Sequence, residues 1–96
     1  MFNGIIFNKG FVAKILKRPK GINIFVKSDL NLNKKDIGIS VACDGVCLTL
    51  ISIKNQIMEF YLSRETINRS KFKYLKKNDF INLELPLKYG QRISGH

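Results

Sequence analysis

A chain of 96 residues, 45% hydrophobic and 25% charged, holds one domain with a modest core and is too apolar for a disordered tail or a collagen-like repeat. No apolar stretch approaches the ~20 residues of a membrane span, and the opening residues lack a secretory signal pattern, so a soluble cytoplasmic domain without a membrane partner is expected. Seventeen Lys and Arg against seven Asp and Glu leave a net charge of +10, which raises the question of a polyanionic partner.

Strand signals dominate from the start. Residues 11–16 and 22–26 are short runs of β-branched and aromatic positions, and Pro19 and Gly21 mark a turn between them. Residues 31–36 are polar and read as a loop. Residues 39–53 form two apolar runs around Asp44 and Gly45, a pair suited to a two-residue type I′ turn because both central positions need positive φ. Residues 57–62 predict another strand. Residues 63–70 hold few strand formers and Ser63 stands where an N-cap would, which predicts a short helix. Asn78 and Asp79 tolerate turn geometry ahead of a last alternating strand over residues 80–85. Five or six short strands with turns roughly every ten residues predict an all-β fold. The specific expectation is a small six-stranded antiparallel Greek-key barrel with one short helix, over one domain, residues 1–96.

The turn at Asp44 and Gly45 dictates pairing: Cys43 with Val46, Ala42 with Cys47, Val41 with Leu48, Ser40 with Thr49. Because side chains alternate along a strand, Val41, Cys43, Val46, Leu48 and Leu50 share a core face, and Ser40, Ala42, Cys47 and Thr49 share the other. Cys43 and Cys47 thus point to opposite sides, which makes a disulfide between them poor in geometry. With His96 the only histidine, the cysteines cannot complete a four-ligand zinc site, and no metal is expected. The small face bearing two hydroxyls and a thiol suits a flat heteroaromatic ligand. Spacing alone favours the plainer reading, in which Ser40 and Thr49 are a cross-strand hydroxyl pair on a wet surface.

The charge has two readings as well. Thirteen lysines, thirteen isoleucines and nine asparagines together are what an AT-rich genome imposes, and the lysines are scattered. The excess therefore reads first as genomic drift and second as a binding patch. A nucleic-acid-binding barrel would need exposed aromatics interleaved with basic residues, for which Phe25-Val26-Lys27 and Phe72-Lys73-Tyr74 are the available segments. No nucleic-acid partner is expected.

A set of motifs in chain order goes further. Met1-Phe2-Asn3-Gly4-Ile5-Ile6 resembles a Met-Phe-Thr-Gly-Ile opening, and Asp44-Gly45-Val46-Cys47-Leu48-Thr49 resembles an Asn-Gly-Val-Cys-Leu-Thr hairpin. Arg64-Glu65-Thr66 carries a Glu-Thr element, residues 75–84 resemble Leu-Lys-x-Gly-Asp-x-Val-Asn-Leu-Glu, and Ser94-Gly95-His96 resembles Gly-Gly-His. Together these resemble the riboflavin synthase family. The departures are Asn3 for Thr, Phe7 for a polar residue, Asp44 for Asn and Asn78 for Gly; the last two retain residues that tolerate positive φ.

The resemblance implies two similar barrels per full chain, of which this sequence supplies the first, and a trimer whose sites lie between barrels of neighbouring subunits. It implies 6,7-dimethyl-8-ribityllumazine and riboflavin as ligands, dismutation of two lumazines to riboflavin and 5-amino-6-ribitylamino-pyrimidinedione as the reaction, and no cofactor. Carried over by motif, Gly4, Ile5 and Ile6 offer backbone groups to the ligand, and Cys47, Leu48 and Thr49 line the ring edge with Ser40 beside them. Tyr61, Leu62, Ser63, Arg64, Glu65 and Thr66 close over the ring and ribityl chain. Ser40, Cys47 and Thr49 are the expected catalytic residues; Cys47 acts there as a thiolate or as a small packing thiol. Alone, this half is expected to bind ligand with little or no turnover, with a homodimer replacing the missing barrel. The alternative is a lumazine- or flavin-binding antenna protein of the same superfamily, which uses the chromophore optically.

Overall fold

The computed structural model describes residues 6–85, which form six antiparallel strands and one short helix. The strands are β1 (Ile6–Arg18), β2 (Gly21–Ser28), β3 (Ser40–Cys43), β4 (Val46–Lys54), β5 (Ile57–Ser63) and β6 (Phe80–Leu85); the helix is α1 (Arg64–Asn68). They close into a barrel in the order β1-β2-β5-β4-β3-β6, with β6 paired back onto β1. Strands β3, β4 and β5 are joined by tight turns, and β6 returns by a long connection to lie beside β3, which is the Greek-key pattern. The sequence-predicted all-β barrel with one helix is therefore the observed architecture. The expected ligand contacts at Gly4 and Ile5, and the motif at Ser94-Gly95-His96, lie outside the described residues; Ile6 enters the description as the first residue of β1, paired with Leu85.

Closure depends on β1, which is longer than the apolar run over residues 11–16 announced. Its first part pairs with β6 and its second with β2, and the two ladders overlap at Gly10 and Phe11. A bulge between Val12 and Lys14 bends the strand there. Gly10 is required at the overlap: a Cβ would sit 2.8 Å from Val26 Cγ1 and 2.9 Å from the Lys27 carbonyl oxygen. Val12, Ile24, Val26, Val41, Leu50, Phe60, Leu62, Ile81, Leu83 and Leu85 fill the interior with no exposed surface. Burial of such side chains is the main term holding the barrel, about 1.5–3 kcal/mol for each large one.

Two segments depart from the sequence reading. The polar loop over residues 31–36 contains a 3-10 turn, Lys34–Asp36, closed by a capping box in which Asn33 and Asp36 exchange side-chain and backbone bonds. It also delivers Leu32 to the core, beside Leu30 from just ahead of it. A second 3-10 turn, Lys71–Tyr74, buries Phe72 while Tyr74 stays exposed, so this segment does not offer two stacked aromatics to solvent. Among the described residues, no helix is long and apolar enough to cross a membrane.

Candidate functional site

The site begins with a turn. Asp44 and Gly45 adopt φ of 50° and 84°, so the hairpin is the type I′ form expected from the Asp-Gly pair. Asp44 also joins the turn to β6, because its backbone N–H donates to the Asn82 carbonyl and its Oδ1 accepts from the Asn82 N–H, both at 2.8 Å. The observed register is Ser40 with Thr49, Val41 with Leu48, Ala42 with Cys47 and Cys43 with Val46, as the two-residue turn demands.

Alternation then sorts the side chains. Val41, Cys43, Leu48 and Leu50 are buried, and Val46 is half-buried. Ser40, Cys47 and Thr49 are exposed on the barrel's outer surface, with buried Ala42 among them. The two cysteines are free, one inside and one outside. Burial pushes the Cys43 thiol well above its ordinary range, with smaller contributions from the neighbouring Asp44 and Cys47.

On this outer surface a cleft of about 300 Å³ runs between β4, β5 and α1. It collects Cys47, Thr49, Ile51, Tyr61, Ser63 and Thr66, with Leu48 in its floor. Ser63 caps the helix: its Oγ accepts the Thr66 N–H at 3.2 Å and donates to Thr66 Oγ1 at 3.1 Å. The two hydroxyls are thereby held together against the cleft. The Tyr61 hydroxyl donates to the Lys20 carbonyl at 3.0 Å, which fixes the ring along the cleft edge. The arrangement offers a flat ligand one aromatic face, one aliphatic side chain, three hydroxyls and a thiol, a lining as polar as it is apolar, with hydrogen-bonding groups placed around a ring-sized face.

Other expected residues fall elsewhere. Ser40 is the register partner of Thr49 and shares its face but does not line the cleft. Leu62 is fully buried in the barrel, so its side chain takes no part in the lining. Arg64 turns away, its Nη2 donating to the Pro19 carbonyl at 3.0 Å while its backbone N–H donates to the Lys20 carbonyl. It fastens the β1–β2 turn to the helix start. Glu65 makes an exposed ion pair with Arg69 at 3.1 Å. Ile51 is the lining residue that the sequence reading missed. Its signal was present in the alternation of positions 47, 49 and 51, which the reading followed only to Thr49.

A larger cleft of about 360 Å³ lies between the second 3-10 turn and β6, lined by Asp44, Lys71, Phe72, Tyr74, Asp79 and Phe80 among others. Its size does not make it the better candidate. Asp44 and Asp79 each already accept a backbone N–H, and the thiol and paired hydroxyls are all in the smaller cleft.

Residues 3–86 match the lumazine binding domain family. Over the whole chain, the sequence is 34% identical to a riboflavin synthase of Buchnera aphidicola (subsp. Baizongia pistaciae), 37% to one of Chlamydia pneumoniae and 31% to one of Escherichia coli. The chain spans about half the length of these curated relatives, 46%, 48% and 46% respectively. A hairpin that displays a thiol and hydroxyls beside a capped helix, on a closed six-stranded barrel, accords with that match, and the chain belongs to the lumazine binding domain family.

Proposed function

We propose that this barrel binds 6,7-dimethyl-8-ribityllumazine and riboflavin in the cleft between β4, β5 and α1, as one half of a riboflavin synthase site. The observation that carries the reading is the convergence of Cys47, Thr49, Ser63 and Thr66 around the Tyr61 ring in a cleft sized for a small heteroaromatic. The pteridine ring lies against Tyr61 and Ile51, and Thr49 and the Ser63–Thr66 pair bond its edge and the ribityl hydroxyls. Cys47 sits at the ring edge as a small thiol. Ser40 supports Thr49 from the adjacent strand.

In the full enzyme two lumazines exchange a four-carbon unit to give riboflavin and 5-amino-6-ribitylamino-pyrimidinedione. The lumazine methyl group is acidic because its anion is delocalised over the pteridine, so no metal or organic cofactor is required. The protein's task is to hold two rings in register, an effect worth up to about 7–11 kcal/mol in well-oriented cases. One barrel supplies one ring site. Turnover therefore needs a second barrel, from a longer chain assembled as a trimer or, less effectively, from a homodimer of this one.

Titration with riboflavin, followed by quenching of its fluorescence, tests the reading. Saturable quenching is expected, weakened at least about tenfold by Thr49→Val through loss of a ligand hydrogen bond in a partly desolvated site. Lys71→Ala, in the larger cleft, leaves it unchanged. Absence of quenching at high micromolar riboflavin, or loss of binding in Lys71→Ala alone, overturns it.

A further inference from the structure

Strand β4 does not keep its alternation. Its ladder with β5 runs from Leu50 opposite Phe60 to Ser52 opposite Glu59, with the register shifting at Ile51. Without that bulge Ser52 would face the core and Ile53 the solvent. With it, Ile51 and Ser52 both lie outside, and Ile53 is buried. Ile51 keeps the outward aim that alternation from Cys47 and Thr49 already gives it; the bulge sets Ser52 outside next to it, and that pair needs something to hold it, because nothing in the ladder itself pins the extra residue.

Glu59 supplies the hold. One carboxylate oxygen accepts from Ser52 Oγ at 2.8 Å, and the other accepts from Asn23 Nδ2 on β2. A single carboxylate thus ties β4, β5 and β2 together on the outer surface. Asn23 is 6% exposed and is the register partner of Tyr61; Ser52 directly follows Ile51. Each arm therefore ends beside one wall of the cleft. Asn23 Oδ1 is buried without a hydrogen-bond partner. The fold tolerates that cost because the opposite amide orientation would set Oδ1 against the carboxylate and free the arm.

From this geometry we infer that Glu59 is a positioning residue, setting the separation of Ile51 and Tyr61 across the cleft through Ser52 and Asn23. It touches no ligand. The inference rests on the proposed lumazine-type site for its consequence in binding, and on the bulge alone for its consequence in structure.

The test compares the parent chain with Glu59→Gln, Glu59→Leu and Ser52→Ala. Glu59→Gln keeps an acceptor for Asn23 and a donor for Ser52, so it binds riboflavin as the parent does. Glu59→Leu loses both arms and weakens riboflavin about tenfold to hundredfold, the scale of a displaced contact. Ser52→Ala loses one arm, falls between them and guards against Glu59→Leu failing to fold. The Ile51 methyl chemical shifts, which report its surroundings on the cleft wall, move in Ser52→Ala and Glu59→Leu and hold in Glu59→Gln. A lowered thermal midpoint with unchanged affinity and unchanged Ile51 shifts overturns the inference. Should the parent itself fail to bind riboflavin, the proposed ligand falls, and the Ile51 shifts still decide whether Glu59 positions the bulge.

Discussion

Cys43 and Cys47 are four positions apart and live in different solvents. Cys47 is exposed on the cleft wall, while Cys43 is inside the barrel with its proton held by burial. In the unfolded chain the Cys43 thiol ionises near its ordinary value of 9.0; in the folded barrel it keeps its proton well beyond that. Above about pH 9 the unfolded state binds fewer protons than the folded one, so stability falls as pH rises, by up to about 1.4 kcal/mol per pH unit. Below that window the contribution is fully present. Urea midpoints of the parent and of Cys43→Ala should therefore differ by a constant amount below about pH 8 and converge above pH 9; parallel curves throughout would contradict the account. The opposite placement of the two thiols was legible from turn length and alternation alone. The roles of Leu62 and Arg64 were not. Leu62 obeys the same parity but lies on β5, whose inner face turn length does not assign, and Arg64 finds its acceptor at Pro19, 45 residues away.

Among the elements, the contact between the β1–β2 turn and the β5–α1 junction holds one end of the cleft in place. Tyr61 and Arg64 both bond to this turn, through the Lys20 and Pro19 carbonyls. Gly21 makes the approach possible: a Cβ there would lie 2.1 Å from the Leu62 carbonyl oxygen, a backbone atom that cannot step aside. Gly21→Ala should cost about 3 kcal/mol or more, the upper range for forcing atoms into a packed site, and should also release the Tyr61 hydroxyl from Lys20. A loss of that size in thermal unfolding, with weakened riboflavin quenching in the folded fraction, is the expected result. The same segment shows what a local reading can extract. Pro19 and Gly21 announced a turn, and Ser63 announced a helix start. Nothing local says that the turn docks on the helix, because the bonds between them join positions more than 40 apart.

For the whole molecule, closure joins the first strand to the last. No strand of the barrel is left as an unpaired edge, which removes a template for aggregation. It also makes β6 as important as any central strand. Leu83 is fully buried on β6 and pairs with Asn8 of β1 and Cys43 of β3. Leu83→Ala should cost 2–5 kcal/mol, as for a core leucine anywhere in the barrel. Unfolding should remain one cooperative event, seen as coincident transitions by tyrosine fluorescence and far-ultraviolet circular dichroism. Separate transitions would mean that the hairpins melt independently of closure.

Turn chemistry and alternation are local properties, and they determined the strands, the Asp44–Gly45 reversal, the register of Ser40 with Thr49 and the outward aim of Cys47. The spacing of short strand runs and turns set the fold class, since strands with one apolar face must pack that face into a shared core. Only the tertiary structure decided where β1 bends to meet two neighbours, that a bulge at Ile51 brings Ser52 outside and Ile53 into the core, and that Arg64 serves the β1–β2 turn. The reason is physical: each depends on which distant backbone group comes within hydrogen-bond or van der Waals distance, and that is settled by closure of the whole barrel rather than by any window along the chain.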